Sequence, residues 1–283
     1  MGTSLRKKFR RLMRYVRTGR QEVYLAPFQV QASRCLEGKK VLVTGGGSGI
    51  GLAIARKCVA CGAQVVVTGR SREKLQRACA GYGTDEMAPV VWDVCELDAI
   101  GANLDVALSA AGGRLDVLVN NAGIAERESF GSLSRETWDK VMCTNLTAPV
   151  FITQEISSRW RAAGQHGTIL QISSFAGGLP VEDAYSASKC ALDAFVCGMA
   201  KALSPHGIRV NGLAPGVIVG TEIGRPQSRI GVDGNLDAAW VPAGRLGTPD
   251  EIAEVAVFLV SDAAAYIHGQ VVKCDGGGTL AFA

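Results

Sequence analysis

Seven short runs rich in β-branched residues, at 41–44, 65–68, 90–92, 115–120, 167–173, 208–213 and 270–274, alternate along this chain with helix-length segments. That alternation constrains the fold more than any other feature. A strand, a helix and a second strand running the same way form a parallel pair, so the repeated pattern predicts a parallel sheet covered by helices on both faces. The expected helices are 49–61, 71–80, 96–111, 134–161, 184–204 and 249–260. No internal repeat or low-complexity linker divides the chain, so one α/β domain is expected over 39–283, after an extension at 1–38. An apolar content of 47% with 20% charged residues suits a well-buried core. The apolar runs stop well short of the roughly 18 to 20 residues that cross a bilayer, and no transmembrane helix is expected.

The extension differs from the body in charge. Arg6, Lys7, Lys8, Arg10, Arg11, Arg14, Arg17 and Arg20 all precede the first acidic residue, Glu22, although the whole chain carries only +4; the body is therefore mildly acidic. Leu5, Phe9, Leu12, Met13 and Val16 fall among them at helical spacing. Such a stretch suits peripheral contact with an anionic membrane or an acidic partner, a frayed arm, packing on a partner subunit or, in a eukaryotic source, a mitochondrial presequence. It lacks the continuous apolar core of a secretory signal. Nine cysteines fit free thiols in a reducing, cytoplasmic compartment. Cys58 and Cys61 have the spacing of a redox pair, yet they fall at the end of the helix opening at 49, where such residues are ordinary helix neighbours; packing is expected. With no second pair of this kind and with His166, His206 and His268 standing alone, no metal site is expected, and no specific nucleic-acid partner.

Two motifs carry chemistry. Thr44-Gly-Gly-Gly-Ser-Gly-Ile-Gly51 directly follows the first strand. Gly45 permits a tight turn there, Gly49 lets backbone approach a pyrophosphate, and Gly51 allows the new helix to pack closely on the strand, its N-terminus meeting the negative charge. Eighteen residues past Gly51, where an NAD enzyme usually places a carboxylate against ribose hydroxyls, stand Gly69 and Arg70, with Arg72 beyond. A glycine removes the repulsion of a 2′-phosphate and a guanidinium accepts it, so NADP(H) is the expected cofactor. Further on, Tyr185-Ser-Ala-Ser-Lys189 places a phenol and an ammonium four residues apart on one helical face, where the pair can move a proton.

Together these motifs resemble the short-chain dehydrogenase/reductase family, 3-oxoacyl reductases among them, over about residues 39 to 278. The resemblance implies a doubly wound Rossmann fold with a seven-stranded parallel sheet in a single domain. It implies a catalytic set of Asn145, Ser174, Tyr185 and Lys189; Ser173 is the alternative serine, and Ser174 is preferred because it stands three residues before Gly177. Tyr185 would exchange a proton with the substrate oxygen, Ser174 would hold that oxygen, Lys189 would bond the nicotinamide ribose, and Asn145 would keep a water behind Lys189. An ordinary tyrosine near pKa 10 is a poor base, so its surroundings must lower it by about three units, with Lys189 and an oxidised nicotinamide as the expected sources. The cofactor-binding set implied is Thr44, Gly45, Ser48, Gly49, Ile50, Gly51, Arg70, Asp93, Asn121, Ala122, Gly123, Tyr185, Lys189, Pro215, Gly216 and Thr221. Pro215-Gly-Val-Ile-Val-Gly-Thr221 has one residue more than the commonest form and resembles dienoyl- and enoyl-CoA reductases.

The activity implied is NADP(H)-dependent interconversion of a small ketone and a secondary alcohol, with a 3-oxoacyl thioester as the first substrate expectation. Alternatives are an enoyl- or dienoyl-CoA reductase and a non-catalytic NADP-binding regulator. Helices 134–161 and 184–204 pair across subunits in relatives, which implies a homodimer or homotetramer. The glycine- and proline-rich stretch 220–247 reads as a substrate-selecting lid.

Overall fold

The computed structural model describes residues 34–126, 128–221 and 240–282. Seven strands, β1 (Lys40–Thr44), β2 (Gln64–Gly69), β3 (Met87–Val91), β4 (Val117–Asn120), β5 (Gly167–Ile172), β6 (Ile208–Pro215) and β7 (Val271–Cys274), form one sheet in the order β3-β2-β1-β4-β5-β6-β7. Every neighbouring pair is parallel. The chain starts in the middle of the sheet, runs to one edge, then returns past β1 to build the other half. Strand order thus reverses between β1 and β4, and the connections leaving those two strands diverge and open a crevice at their carboxyl ends.

Alternation within the strands divides the core. Val41 and Val43 of β1, Val65 and Val67 of β2 and Leu170 of β5 pack with α1 (Gly49–Ala60), α2 (Arg72–Cys79) and α7 (Pro249–Val260). Leu42, Val66, Leu118 and Ile169 point the other way, onto α3 (Ile100–Ala110), α5 (Ala148–Ala162) and the C-terminal part of α6 (Ala184–Leu203). A period of two on buried strands supplies both faces at once, which is the doubly wound architecture the alternation implied.

Two elements depart from the expected pattern. β3 begins at Met87, earlier than its β-branched run, and includes Pro89 paired with Val67. Proline lacks a ladder donor, yet β3 is an edge strand, where no outer neighbour needs one. The expected helix 134–161 is also interrupted: α4 (Arg135–Met142) leads into a π-helical turn at Cys143–Thr147 before α5 resumes. Pro149 has no amide to offer the carbonyl of Asn145 four residues back, so a regular ladder fails there, and π turns gather where a helix serves a site.

Leu36 is fully buried, and its amide donates to the Cys61 carbonyl oxygen at 3.0 Å. The basic stretch before it, within 1–33, and residues 222–239 of the expected lid lie outside the described residues. All nine cysteines carry free thiols. Burial pushes the Cys58 thiol up, and the Cys61 thiol to about 11, so this pair is protonated packing material at neutral pH. Among the described residues no helix is long and apolar enough to cross a membrane.

Candidate active site

The glycine turn is bolted to the next strand of the crevice. Thr44, at the end of β1, is buried, and its Oγ1 accepts from the amides of Asn121 and Ala122 at 3.0 and 3.1 Å. Asn121 reciprocates: its Nδ2 donates to the carbonyl oxygens of Thr44 and Gly45 at 3.0 and 3.1 Å. This closeness fixes the glycines. A Cβ on Gly45 would stand 2.9 Å from the Ala122 Cα, and one on Gly51 would fall on the Asn121 side-chain amide and the Gly45 carbonyl. Gly46, which sequence reasoning passed over, is as tightly held, with Val67 2.7 Å from any added Cβ. Only the burial of Val67 against the turn reveals it.

The crevice suits a dinucleotide. Ser48 takes the N-cap position of α1 but makes no capping bond, and no acidic residue occupies the first turn. The amides of that turn keep their capacity for an anion, reinforced by the helix dipole. Gly49 has φ +54°, a left-handed conformation, and faces Thr221 across the cleft, 3.6 Å from its methyl carbon to a would-be Cβ. Thr221 therefore sits beside the glycine turn; its hydroxyl donates to the Ile218 carbonyl oxygen at 3.0 Å. Ile50 is half-buried beside the core. At the carboxyl end of β2, Arg70 is exposed and has no side-chain partner among the described residues, whereas Arg72 lies near Glu73. Asp93, just past β3, accepts from the Cys95 amide at 3.0 Å and caps its own turn. Pro215 is still paired with Cys274 at the end of β6, and Gly216 packs so closely on Asp275 that a Cβ would lie 2.7 Å from its Cα.

A second cluster lies beside Gly123. Lys189 is 4% exposed, its Nζ donates to the Ile172 carbonyl oxygen at 2.8 Å, and it stands 5.8 Å from the centre of the Tyr185 ring. Ser174 caps the 3₁₀ turn Phe175–Gly178 and lies close enough to the Tyr185 phenol to pull its pKa down, whereas Ser173 faces Asp193. The two adjacent serines are separated by extended backbone, which sends their side chains to opposite sides. Asn145 is wholly buried in the π turn: its Nδ2 donates to the Ile124 carbonyl oxygen at 2.8 Å and to Ser188 Oγ at 3.1 Å, and its Oδ1 accepts from the Ile124 amide at 2.9 Å. It clamps the segment leaving β4. A Cβ on Gly123 would be 3.4 Å from Asn145 Oδ1 and 3.7 Å from Lys189 Nζ, so the three meet at one point. Ser188, its partner on α6, was legible only as a spacer in the motif.

One electrostatic expectation is corrected. Burial pushes the Tyr185 phenol above its ordinary value; Ser174 pulls it down and Asp183 adds to the rise. Lys189 is itself lowered to about 8 by burial, which exceeds the upward pull of Asp193. Lys189 still carries its proton at neutral pH, but burial of the phenol outweighs what pulls it down, so the protein by itself does not acidify it. Among the described residues no group of three or more metal-ligating side chains is placed to hold an ion.

A glycine turn at the reversal of strand order, with a Ser-Tyr-Lys cluster beside it, defines a dinucleotide-dependent oxidoreductase. Comparison with known proteins agrees. A family model described as enoyl-(acyl carrier protein) reductase matches residues 45–279. Gluconate 5-dehydrogenase of Gluconobacter oxydans is 36% identical, over 87% of this chain and 96% of that protein. A 3-oxoacyl-[acyl-carrier-protein] reductase of Chlamydia muridarum is 36% identical over 86% of this chain and 98% of its own. The crystal structure of a short-chain type dehydrogenase/reductase from Mycobacterium marinum superposes with a TM-score of 0.80 at 31% identity, covering 89% of this chain and 99% of that one. The chain belongs to the short-chain dehydrogenase/reductase family, whose members use nicotinamide cofactors.

Proposed function

We propose that this chain interconverts a ketone and a secondary alcohol using NADP(H), with Tyr185 as the proton donor and acceptor. The observation that carries this reading is the contact of Ser174 with the Tyr185 phenol while Lys189 stands over the same ring. A bound nicotinamide would supply or take up the hydride. Ser174 and Tyr185 together offer two hydroxyl donors to one carbonyl oxygen, an arrangement that stabilises the charge developing there. A phenol held above its ordinary pKa keeps its proton at neutral pH and suits donation to a ketone. In the oxidative direction the same phenol needs the positive charge of an oxidised nicotinamide to become a base. Lys189 holds the Ile172 carbonyl and faces Gly123, where a ribose would lie; Asn145 fixes the loop between them and could align a water with its remaining lone pair.

NADP(H) over NAD(H) is supported by Arg70, exposed and unpaired among the described residues at the end of β2, and by the glycine before it. A 3-oxoacyl thioester stays the first substrate proposed, and the sugar-acid relative makes a polyhydroxylated ketone the second. Reduction of an enoyl thioester is the competing reading, supported by the description of the matched family model and by the spacing from Pro215 to Thr221. We also propose a homodimer or homotetramer in the cytoplasm.

The test is NADPH and NADH oxidation by purified protein against a 3-oxoacyl thioester, a keto-sugar acid and an enoyl thioester, repeated with Tyr185→Phe. Turnover with a ketone, preferring NADPH, and a fall in kcat of roughly 100- to 10,000-fold in Tyr185→Phe are expected. Ketone reduction should be level in the acid and neutral range and decline on the alkaline side, as Lys189, at about 8, and then Tyr185 lose their protons. Unchanged turnover in Tyr185→Phe would refute the proton donor, and activity with the enoyl thioester alone would favour the competing reading.

A further inference from the structure

Tyr185 and Lys189 belong to a longer row on α6. Asp193 follows Lys189 by the same interval, so three ionisable side chains succeed one another along one stripe of the helix. Asp193 turns toward the loop that carries Ser174. Its Oδ2 lies 2.8 Å from where a Cβ on Gly177 would stand, and that same Cβ would be 3.0 Å from the Lys189 carbonyl oxygen. Only glycine lets the serine turn settle onto α6 here.

Asp193 Oδ1 and Ser173 Oγ are both buried, and neither has a partner of full hydrogen-bond geometry among the described residues. They face each other closely enough for the hydroxyl to draw the carboxyl pKa down, against a burial that pushes it up. The charged groups facing the carboxylate are Lys189 on its own helix and Lys273 of β7; a Cβ on Gly178, in the same serine turn, would lie 3.3 Å from Lys273 Nζ. Around Lys189 the titratable groups are Asp193 and Tyr185, while Asn145 of the π turn, Ile172 of β5 and Gly123 after β4 present neutral atoms. A buried ammonium is costly without an opposing charge, and the proposed catalytic set contains none.

We infer that Asp193 is a positioning residue: its carboxylate supplies the negative charge that holds the proton on Lys189, and through Ser173 it fixes the turn that presents Ser174 to Tyr185. This role rests on the reading of Tyr185 and Lys189 as the proton-transfer pair. Lys273, exposed on β7, competes for the same carboxylate and weakens its hold on Lys189.

The test reads Lys189 directly, by NMR titration of its Cε resonance in the cofactor-free protein, assigned by its loss in Lys189→Met. Asp193→Asn keeps the size and an acceptor for Ser173 but no charge, and the Lys189 midpoint should fall by about one unit, the scale of a partly buried charge pair. The alkaline limb of ketone reduction should move to lower pH with it. Ser173→Ala leaves every charge in place, so the midpoint should hold while kcat falls several-fold. Lys273→Met should move the midpoint upward by a smaller amount, because an exposed cation is screened. A Lys189 midpoint that ignores Asp193→Asn in a protein of native thermal stability overturns the role. If that variant does not fold, Lys273→Met decides: an upward shift supports the role and no shift overturns it. Tyr185→Phe separates the two levels, since retained turnover there refutes the proton-transfer pair itself, whereas an inactive Tyr185→Phe with an indifferent Lys189 midpoint removes Asp193 alone.

Discussion

At Gly51 one methyl group decides whether the crevice can close. An added Cβ would fall on the Asn121 amide and the Gly45 carbonyl, the two groups that bolt the glycine turn to the strand beyond it. Neither can retreat without breaking the bond between them. Gly51→Ala should therefore cost about 1–3 kcal/mol, the range for forcing atoms into a packed site, and weaken binding of the nicotinamide cofactor more than tenfold, measured by thermal unfolding and by titration of cofactor fluorescence. Gly69→Ala meets only Leu75, at an ordinary 3.6 Å, and its melting temperature should stay near that of the native protein. The need for small residues at 45, 49 and 51 was legible, because glycine spacing after a strand is a local signal. The direction of the Tyr185 shift was not. It depends on how much solvent the folded chain removes from the phenol, set against the downward pull of Ser174 and the negative charge of Asp183, and no spacing encodes that.

Among the elements, β6 and α7 show how distant segments complete one another. Arg209 is 6% exposed, and its guanidinium donates to the carbonyl oxygens of Leu259, Val260 and Ser261, the last at 2.9 Å. These are the carbonyls a helix leaves unpaired at its C-terminus, and the positive charge also meets the negative end of the α7 dipole. Arg209→Met should leave them buried without donors and destabilise the protein by about 3 kcal/mol in urea denaturation, with Arg209→Lys recovering part of the loss. The N-terminus of α7 falls where the helix 249–260 was expected, and Thr248 and Glu251 form a capping box there with Pro249 in the first turn. Its C-terminal partner was not legible, since Arg209 lies some fifty residues upstream. The π turn at Asn145 had a sequence signal in Pro149, but the periodicity of apolar residues ran through it unbroken and hid the interruption.

For the whole molecule, α6 packs against α4 and the π turn that leads into α5, and on these three helices Trp138, Phe151 and Phe195 stay 38%, 46% and 45% exposed. Large apolar side chains left in water favour burial against a second copy. Light scattering should report at least a dimer at micromolar concentration, and Phe195→Glu should shift it toward monomer; a monomeric native protein would contradict the proposed assembly. The alternation of β-branched runs with helix-length segments determined the parallel sheet, its seven strands and the position of the dinucleotide turn. These are consequences of backbone period and local sterics, which each segment carries within itself. The tertiary structure alone decided why an edge strand accepts Pro89, and that the two adjacent serines face opposite ways, Ser174 toward Tyr185 and Ser173 toward Asp193. Burial and electric field at a site are summed over side chains that share no sequence neighbourhood, so they come into being only when the chain has folded.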